Sequence, residues 1–90
     1  MVTAIVLLTA ERDKVHPIAE ALADINEITE VYSTAGRYDL AVIVRGENNE
    51  SLEELITTRL LKVEGIVKSE TLIAFRAYSR YDLERMFDMD

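Results

Sequence analysis

Cysteine and tryptophan are absent from this chain, histidine and proline each occur once, and glycine occurs three times in 90 residues. Without cysteine there is no disulfide framework, no thiol nucleophile and no thiolate-based zinc or iron–sulfur site. A lone histidine, His16, excludes a multi-histidine metal cluster, and its place beside Pro17 at a helix start marks it as a capping or surface residue. Gly36, Gly46 and Gly65 stand apart, so no glycine-rich phosphate loop exists. Glu47 and Glu50 flank two asparagines without the alternating oxygen-ligand spacing of a calcium loop. No metal and no cofactor is therefore expected. Ten basic residues against seventeen acidic leave a net charge of −7. A domain that grips phosphates by itself usually carries a basic face, so direct nucleic-acid binding is not expected. The apolar run near the N-terminus is about eight residues long with no basic segment before it, which supports neither a signal peptide nor a membrane span. A cytoplasmic location is expected.

What is present is a globular composition, 49% hydrophobic and 30% charged. Ninety residues provide one core. A chain this short hides a modest share of its surface on folding, so oligomerisation is a natural supplement to its stability.

Val2 to Thr9 is a β-branched apolar run that reads as a strand buried on both faces. Val15, Ile18, Ala19, Leu22 and Ile25 then recur at helical spacing. Pro17 is tolerated only in the first turn, which puts the helix start between Asp13 and His16 and its stop near Asn26. Glu27 to Thr34 alternates, with Ile28, Glu30, Tyr32 and Thr34 on one face and Thr29, Val31 and Ser33 on the other. Ala35-Gly36-Arg37 breaks the pattern, and Tyr38 to Arg45 forms the next strand of an antiparallel hairpin. Ser51 and Glu54 have the spacing of a capping box. Leu52, Leu55, Ile56, Leu60 and Val63 follow as a helical stripe that Gly65 ends, and Ile66 to Arg76 is the last strand.

The order β-α-β-β-α-β predicts an α+β, ferredoxin-like sandwich: a four-stranded antiparallel sheet with two helices on one face. Residues 1–78 form this domain, and residues 79–90 a short C-terminal helix or tail. Ile5 and Leu7 in the first strand oppose Val2, Ala4, Val6 and Leu8; Ala41 and Ile43 in the third oppose Leu40, Val42 and Val44. Two helices cover one sheet face, so the other exposes large aliphatic side chains, a patch monomers rarely tolerate. A second copy packed sheet against sheet in a two-fold dimer is the expected cover.

One turn carries candidate chemistry. Gly36 permits positive φ and close backbone approach, and successive amides around such a turn form a small anion-binding nest. Tyr38 offers a flat wall and a hydroxyl, Asp39 a carboxylate. Together they suit a zwitterion, with amides facing its carboxylate and Asp39 its ammonium. The alternative is a tight hairpin with a turn-stabilising Asp39.

With these residues in view, the chain resembles the effector-binding (RAM) domain of the leucine-/asparagine-responsive, or Lrp/AsnC, transcriptional regulators over residues 2–76. The resemblance rests on Ala35-Gly36-Arg37-Tyr38-Asp39, with Ala where Thr is common, and on Gly65-Ile66-Val67-Lys68-Ser69-Glu70-Thr71, with Ser69 in the first Thr position. It implies a non-enzymatic regulatory module that dimerises through the sheet face. Such dimers join into rings, commonly of four dimers, an octamer. An amino-acid ligand binds between dimers, contacted by Gly36, Arg37, Tyr38 and Asp39 from the turn and Ser69 and Thr71 from the last strand. The helix-turn-helix domain of such regulators is not seen here, so a stand-alone sensor that joins full-length Lrp/AsnC-type regulators is expected. The competing readings are a small dimeric enzyme of monooxygenase or isomerase type, which needs a polar group inside a cavity, and a purely structural hetero-oligomer partner.

The tetrapeptide Arg37-Tyr38-Asp39-Leu40 recurs as Arg80-Tyr81-Asp82-Leu83. The second copy follows Ser79, a candidate N-cap, and Leu83, Met86 and Phe87 have helical spacing. It is expected to open a short helix that docks on a neighbouring subunit, leaving only the copy after Gly36 as a site.

Overall fold

A computed structural model describes residues 1–78. The C-terminal helix expected from Ser79, with Leu83, Met86 and Phe87, lies outside the described residues.

Strand β1 spans Val2–Ala10, helix α1 Val15–Ala23, β2 Ile28–Ser33, β3 Leu40–Gly46, α2 Asn49–Leu55 and β4 Ile66–Ala74. The strands lie side by side in the order β2-β3-β1-β4, every neighbour antiparallel. This is the ferredoxin-like α+β sandwich. Among the described residues no helix is long and apolar enough to cross a membrane.

Helix α1 starts at Val15 inside the expected window, with Pro17 in its first turn, and ends at Ala23, three residues before Asn26. Helix α2 begins earlier than its cap spacing suggested. Asn48, in extended conformation, is the N-cap: its Oδ1 accepts from the Ser51 amide at 2.8 Å, and Ser51 Oγ accepts from the Asn48 amide at 3.2 Å. Ser51 is thus the third helical residue of the box rather than its cap. The earlier start has a physical reason, because Leu52 is 1% exposed and must already sit on a formed turn to reach the core.

Beyond Leu55 the helix continues through Ile56–Leu60 with widened turns, and the Leu61 amide donates to the Ile56 carbonyl at 2.9 Å. The hydroxyls of Thr57 and Thr58 donate to the Glu53 and Glu54 carbonyls, competing with the ordinary i→i−4 bonds there. The widening keeps Ile56 and Leu60 both in the core. The helix therefore ends at Leu60 and not at Gly65. Gly65 instead feeds β4, with φ +102° and its carbonyl accepting from the Glu11 amide at 2.9 Å.

The core lies between the helices and one sheet face. Ala4, Val6 and Leu8 of β1 and Leu40, Val42 and Val44 of β3 are fully buried, facing Ile18 and Leu22 of α1 and Leu52 and Leu60. Each such leucine, isoleucine or valine contributes roughly 1.5–3 kcal/mol by leaving water. The exposed pairs His16–Glu20 (3.2 Å) and Arg59–Glu27 (3.5 Å) contribute at most about 1 kcal/mol each, so burial decides stability.

In β2 the strict alternation fails. Ile28 pairs with Val44 and Glu30 with Ile43, so Thr29 is an extra residue in a bulge. The bulge turns Ile28 to the helix side with Val31, whose partner is Val42, and leaves Glu30 and Tyr32 on the open side. The expected grouping of Ile28 with Glu30 and Tyr32 is thereby overturned, because Ile28 gains a buried place in the core. The open side carries Ile5, Leu7, Ala41 and Ile43, all half-buried, with Leu72 exposed beside them.

A methyl group on Gly65 would lie 2.8 Å from Lys14 Cβ and 3.1 Å from Ile18 Cδ1, in a backbone conformation that L residues avoid. Gly65→Ala should cost roughly 2–4 kcal/mol of stability, from strain plus overpacking. Gly36, with φ +125° and open space around it, should lose only the strain part, roughly 1–2 kcal/mol. Urea unfolding of both variants measures the difference; equal losses would contradict the steric account.

Candidate functional site

The β2–β3 turn is closed by several bonds. The Thr34 amide donates to the Asp39 carbonyl at 3.0 Å, and Thr34 Oγ1 donates to the Tyr38 carbonyl at 2.7 Å. Gly36 supplies the positive φ between them. The Asp39 amide donates to the Leu8 carbonyl at 2.8 Å, which fastens the turn to β1.

Strand β1 runs on to Ala10, whereas β3 begins at Leu40 opposite Leu8. The overhanging Ala10 amide has no β3 residue to pair with. It donates instead to Asp39 Oδ2 at 2.8 Å. A buried or half-buried amide needs a partner, and a carboxylate is a strong one. Asp39 therefore has a structural duty that occupies one of its two oxygens.

Tyr38 reaches further. Its hydroxyl donates to Glu70 Oε2 at 2.7 Å, across β1 to β4. This bond holds the phenol above its ordinary pKa, with desolvation and the Glu70 charge adding to the effect and Arg37 opposing it. Below its ordinary pKa the phenol keeps its proton and the bond is intact. The bond is lost as pH rises through the raised value.

Of the six residues expected at a site, the structure groups four in the turn: Gly36 and Arg37 exposed, Tyr38 and Asp39 half-buried. Ser69 pairs with Leu8, at the same end of the sheet but on the helix side and one strand beyond β1. Thr71 pairs with Val6 and lies apart from the turn. It lines a mostly aliphatic groove of ≈ 350 Å³ between α2 and β4, with Asn49, Leu52, Ile56, Leu61 and Ile73. Glu70 and the Ala10 amide were not foreseen. Glu70 had a legible signal: it is an acid that period-two alternation sets among aliphatics, between Leu7 of β1 and Leu72. The Ala10 amide had none, because a backbone group leaves no mark in the sequence.

A model of the family described as Lrp/AsnC ligand binding domain matches residues 3–83. The chain belongs to the Lrp/AsnC family. Among curated relatives, the HTH-type transcriptional regulator FL11 of Pyrococcus furiosus is 30% identical over 77 residues, 86% of this chain and 50% of that protein. The chain spans about half the length of the curated relatives it matches. Among solved structures, TTHA0845 of Thermus thermophilus superposes with a TM-score of 0.82 at 42% identity, covering 89% of this chain and 100% of that one. The feast or famine regulatory protein of M. tuberculosis, complexed with L-methionine, shares the Lrp/AsnC fold at 24% identity and a TM-score of 0.72, over 89% of this chain and 54% of that one.

Asp39→Ala should destabilise the domain by roughly 1–2 kcal/mol, because it strips the Ala10 amide of its partner. Asp39→Asn keeps a carbonyl oxygen there and should lose less than half as much. Chemical denaturation of the two variants compares them, and equal stability of Asp39→Ala and wild type would remove the structural role.

Proposed function

We propose that this Lrp/AsnC domain is a non-enzymatic sensor. It binds a free amino acid at the Gly36–Asp39 turn where assembled copies meet, and it modulates full-length regulators of the same family by joining their oligomers. The observation that carries this reading is the turn itself. Amides around Gly36 suit a carboxylate, while Tyr38, Asp39 and Glu70 gather acceptors beside them. The M. tuberculosis relative bound to L-methionine supports an amino acid as the ligand class. Catalysis inside the sandwich would need a polar group there, and among the described residues every buried side chain is aliphatic, which favours binding.

The assembly part of the reading rests on the open sheet face. Ile5, Leu7, Ala41 and Ile43 form one apolar surface that the helices do not reach, and a second copy of the same face is its self-complementary cover. Ser69 and Thr71 enter the site, in this reading, through a neighbouring dimer of the ring rather than through the turn of their own chain. A second reading, a purely structural hetero-oligomer partner, is favoured by the engagement of Asp39 with Ala10.

Calorimetry against each of the twenty amino acids tests the sensor. At least one should bind at or below millimolar concentration, and Asp39→Ala should weaken it. No binding, together with unchanged oligomerisation of Asp39→Ala, would leave the structural partner, for which native mass spectrometry with a full-length regulator should then show mixed species indifferent to any amino acid. Ile43→Glu places a charge in the centre of the open face and should give a folded monomer by light scattering. An intact oligomer would rule out sheet-face assembly.

A further inference from the structure

We propose that Glu70 is a positioning residue of the candidate site: its carboxylate takes the Tyr38 hydroxyl proton into a hydrogen bond, so that the phenol oxygen is left to accept from the ammonium group of the ligand. This rests on the reading of the turn as an amino-acid site. It makes the Tyr38–Glu70 pair, beside Asp39, the ammonium end of that site.

A tyrosine hydroxyl has one proton to donate and lone pairs with which to accept. The Tyr38 proton is committed to Glu70 Oε2 at 2.7 Å, so what remains toward a ligand is acceptor capacity. A charge-assisted bond of this kind is stronger than a neutral one and raises the electron density on the phenol oxygen. The Tyr38 carbonyl is held separately by Thr34 Oγ1 at 2.7 Å. Backbone and ring tip are thus anchored on opposite sides, one within the hairpin and one 32 residues away on β4. That double attachment fixes a side chain which would otherwise rotate at the edge of an exposed turn.

The placement of Glu70 argues the same way. Alternation along β4 sets it on the open face opposite Leu7 of β1, at the end of that face next to the turn, with Leu72 and Ile43 further in along the sheet. A carboxylate among aliphatics is costly to cover unless it is hydrogen-bonded, and Tyr38 provides the bond. The charged groups around the pair are Arg37, next to Tyr38, and Lys68, two residues before Glu70 on the same face of β4. These two cations offset Asp39 and Glu70 in net charge, so the preference for an ammonium group rests on the acceptor oxygens left on Tyr38 and Asp39.

The test uses Glu70→Ala, Glu70→Gln and Tyr38→Phe in the whole chain. Ultraviolet titration of wild type, with Tyr38→Phe subtracted, should show Tyr38 ionising above its ordinary value. Both Glu70 variants should bring it down toward that of a free tyrosine, about 10. Whichever amino acid binds wild type should bind Glu70→Ala about tenfold more weakly, with Glu70→Gln between them because its amide oxygen still accepts. The same ligand without its amino group should bind all of them alike, and melting temperatures should stay together. An unchanged Tyr38 titration in both variants, or unchanged amino-acid affinity, overturns the proposal. Equal losses for the amino acid and its deaminated analogue do so as well. If wild type binds no amino acid, the sensor reading fails and with it the ammonium end, while the Tyr38 titration still decides whether Glu70 positions the ring.

Discussion

A four-stranded sheet has two faces, and α1 and α2 together supply apolar cover for one of them. The core and the open face of this domain both follow from that imbalance. The covered side takes Ala4, Val6 and Leu8 from β1 and Leu40, Val42 and Val44 from β3 to complete burial. The same period-two pleat necessarily delivers Ile5, Leu7, Ala41 and Ile43 to the opposite side, half-buried, with neither α1 nor α2 above them. A domain of this size gains much of its stability from its core and has little to spare. The aliphatic open face is therefore both a liability alone and a ready surface for association.

The candidate site grows from a second mismatch, one of strand length. Because β1 outlasts β3, the Ala10 amide reaches past the ladder, and Asp39 closes the gap with its carboxylate. The Leu8 carbonyl and the Asp39 amide complete the attachment from the other direction. Gly36 makes the reversal possible through its positive φ. The turn is consequently a braced element, tied to β1 by Asp39 and to β4 by Tyr38, and such bracing is what a binding site on a loop requires. The charged contacts that matter are these cross-strand ones, not the exposed side-chain pairs His16–Glu20 and Arg59–Glu27.

Local pattern and final structure part company in a few places, each with a cause. Ser51 and Glu54 fit the capping-box spacing, but Asn48 and Ser51 fit it too, and burial of Leu52 selected the earlier start. In β2 the bulge at Thr29 lets Ile28 and Val31 share the helix side, whereas an unbroken alternation would have sacrificed one of them to solvent. Gly65 was legible as a special residue, but its role is set by Lys14 and Ile18 packing against its bare Cα, not by a helix terminus. Of the candidate site, Gly36, Arg37, Tyr38 and Asp39 were legible as one turn. Ser69 and Thr71 share a strand and a face, yet alternation between them put Glu70, not either of them, in contact with that turn.

Composition and periodicity by themselves determined the element order, the ferredoxin-like architecture, the apolar second face and the glycine-containing turn. They could do so because burial of side chains imposes its spacing on any helix or strand, whatever its partner. Only the tertiary structure decided that Asp39 serves the Ala10 amide, 29 residues away, and that Tyr38 donates to Glu70, 32 residues away. Those partners are chosen by strand register and relative strand length, which are properties of the assembled sheet.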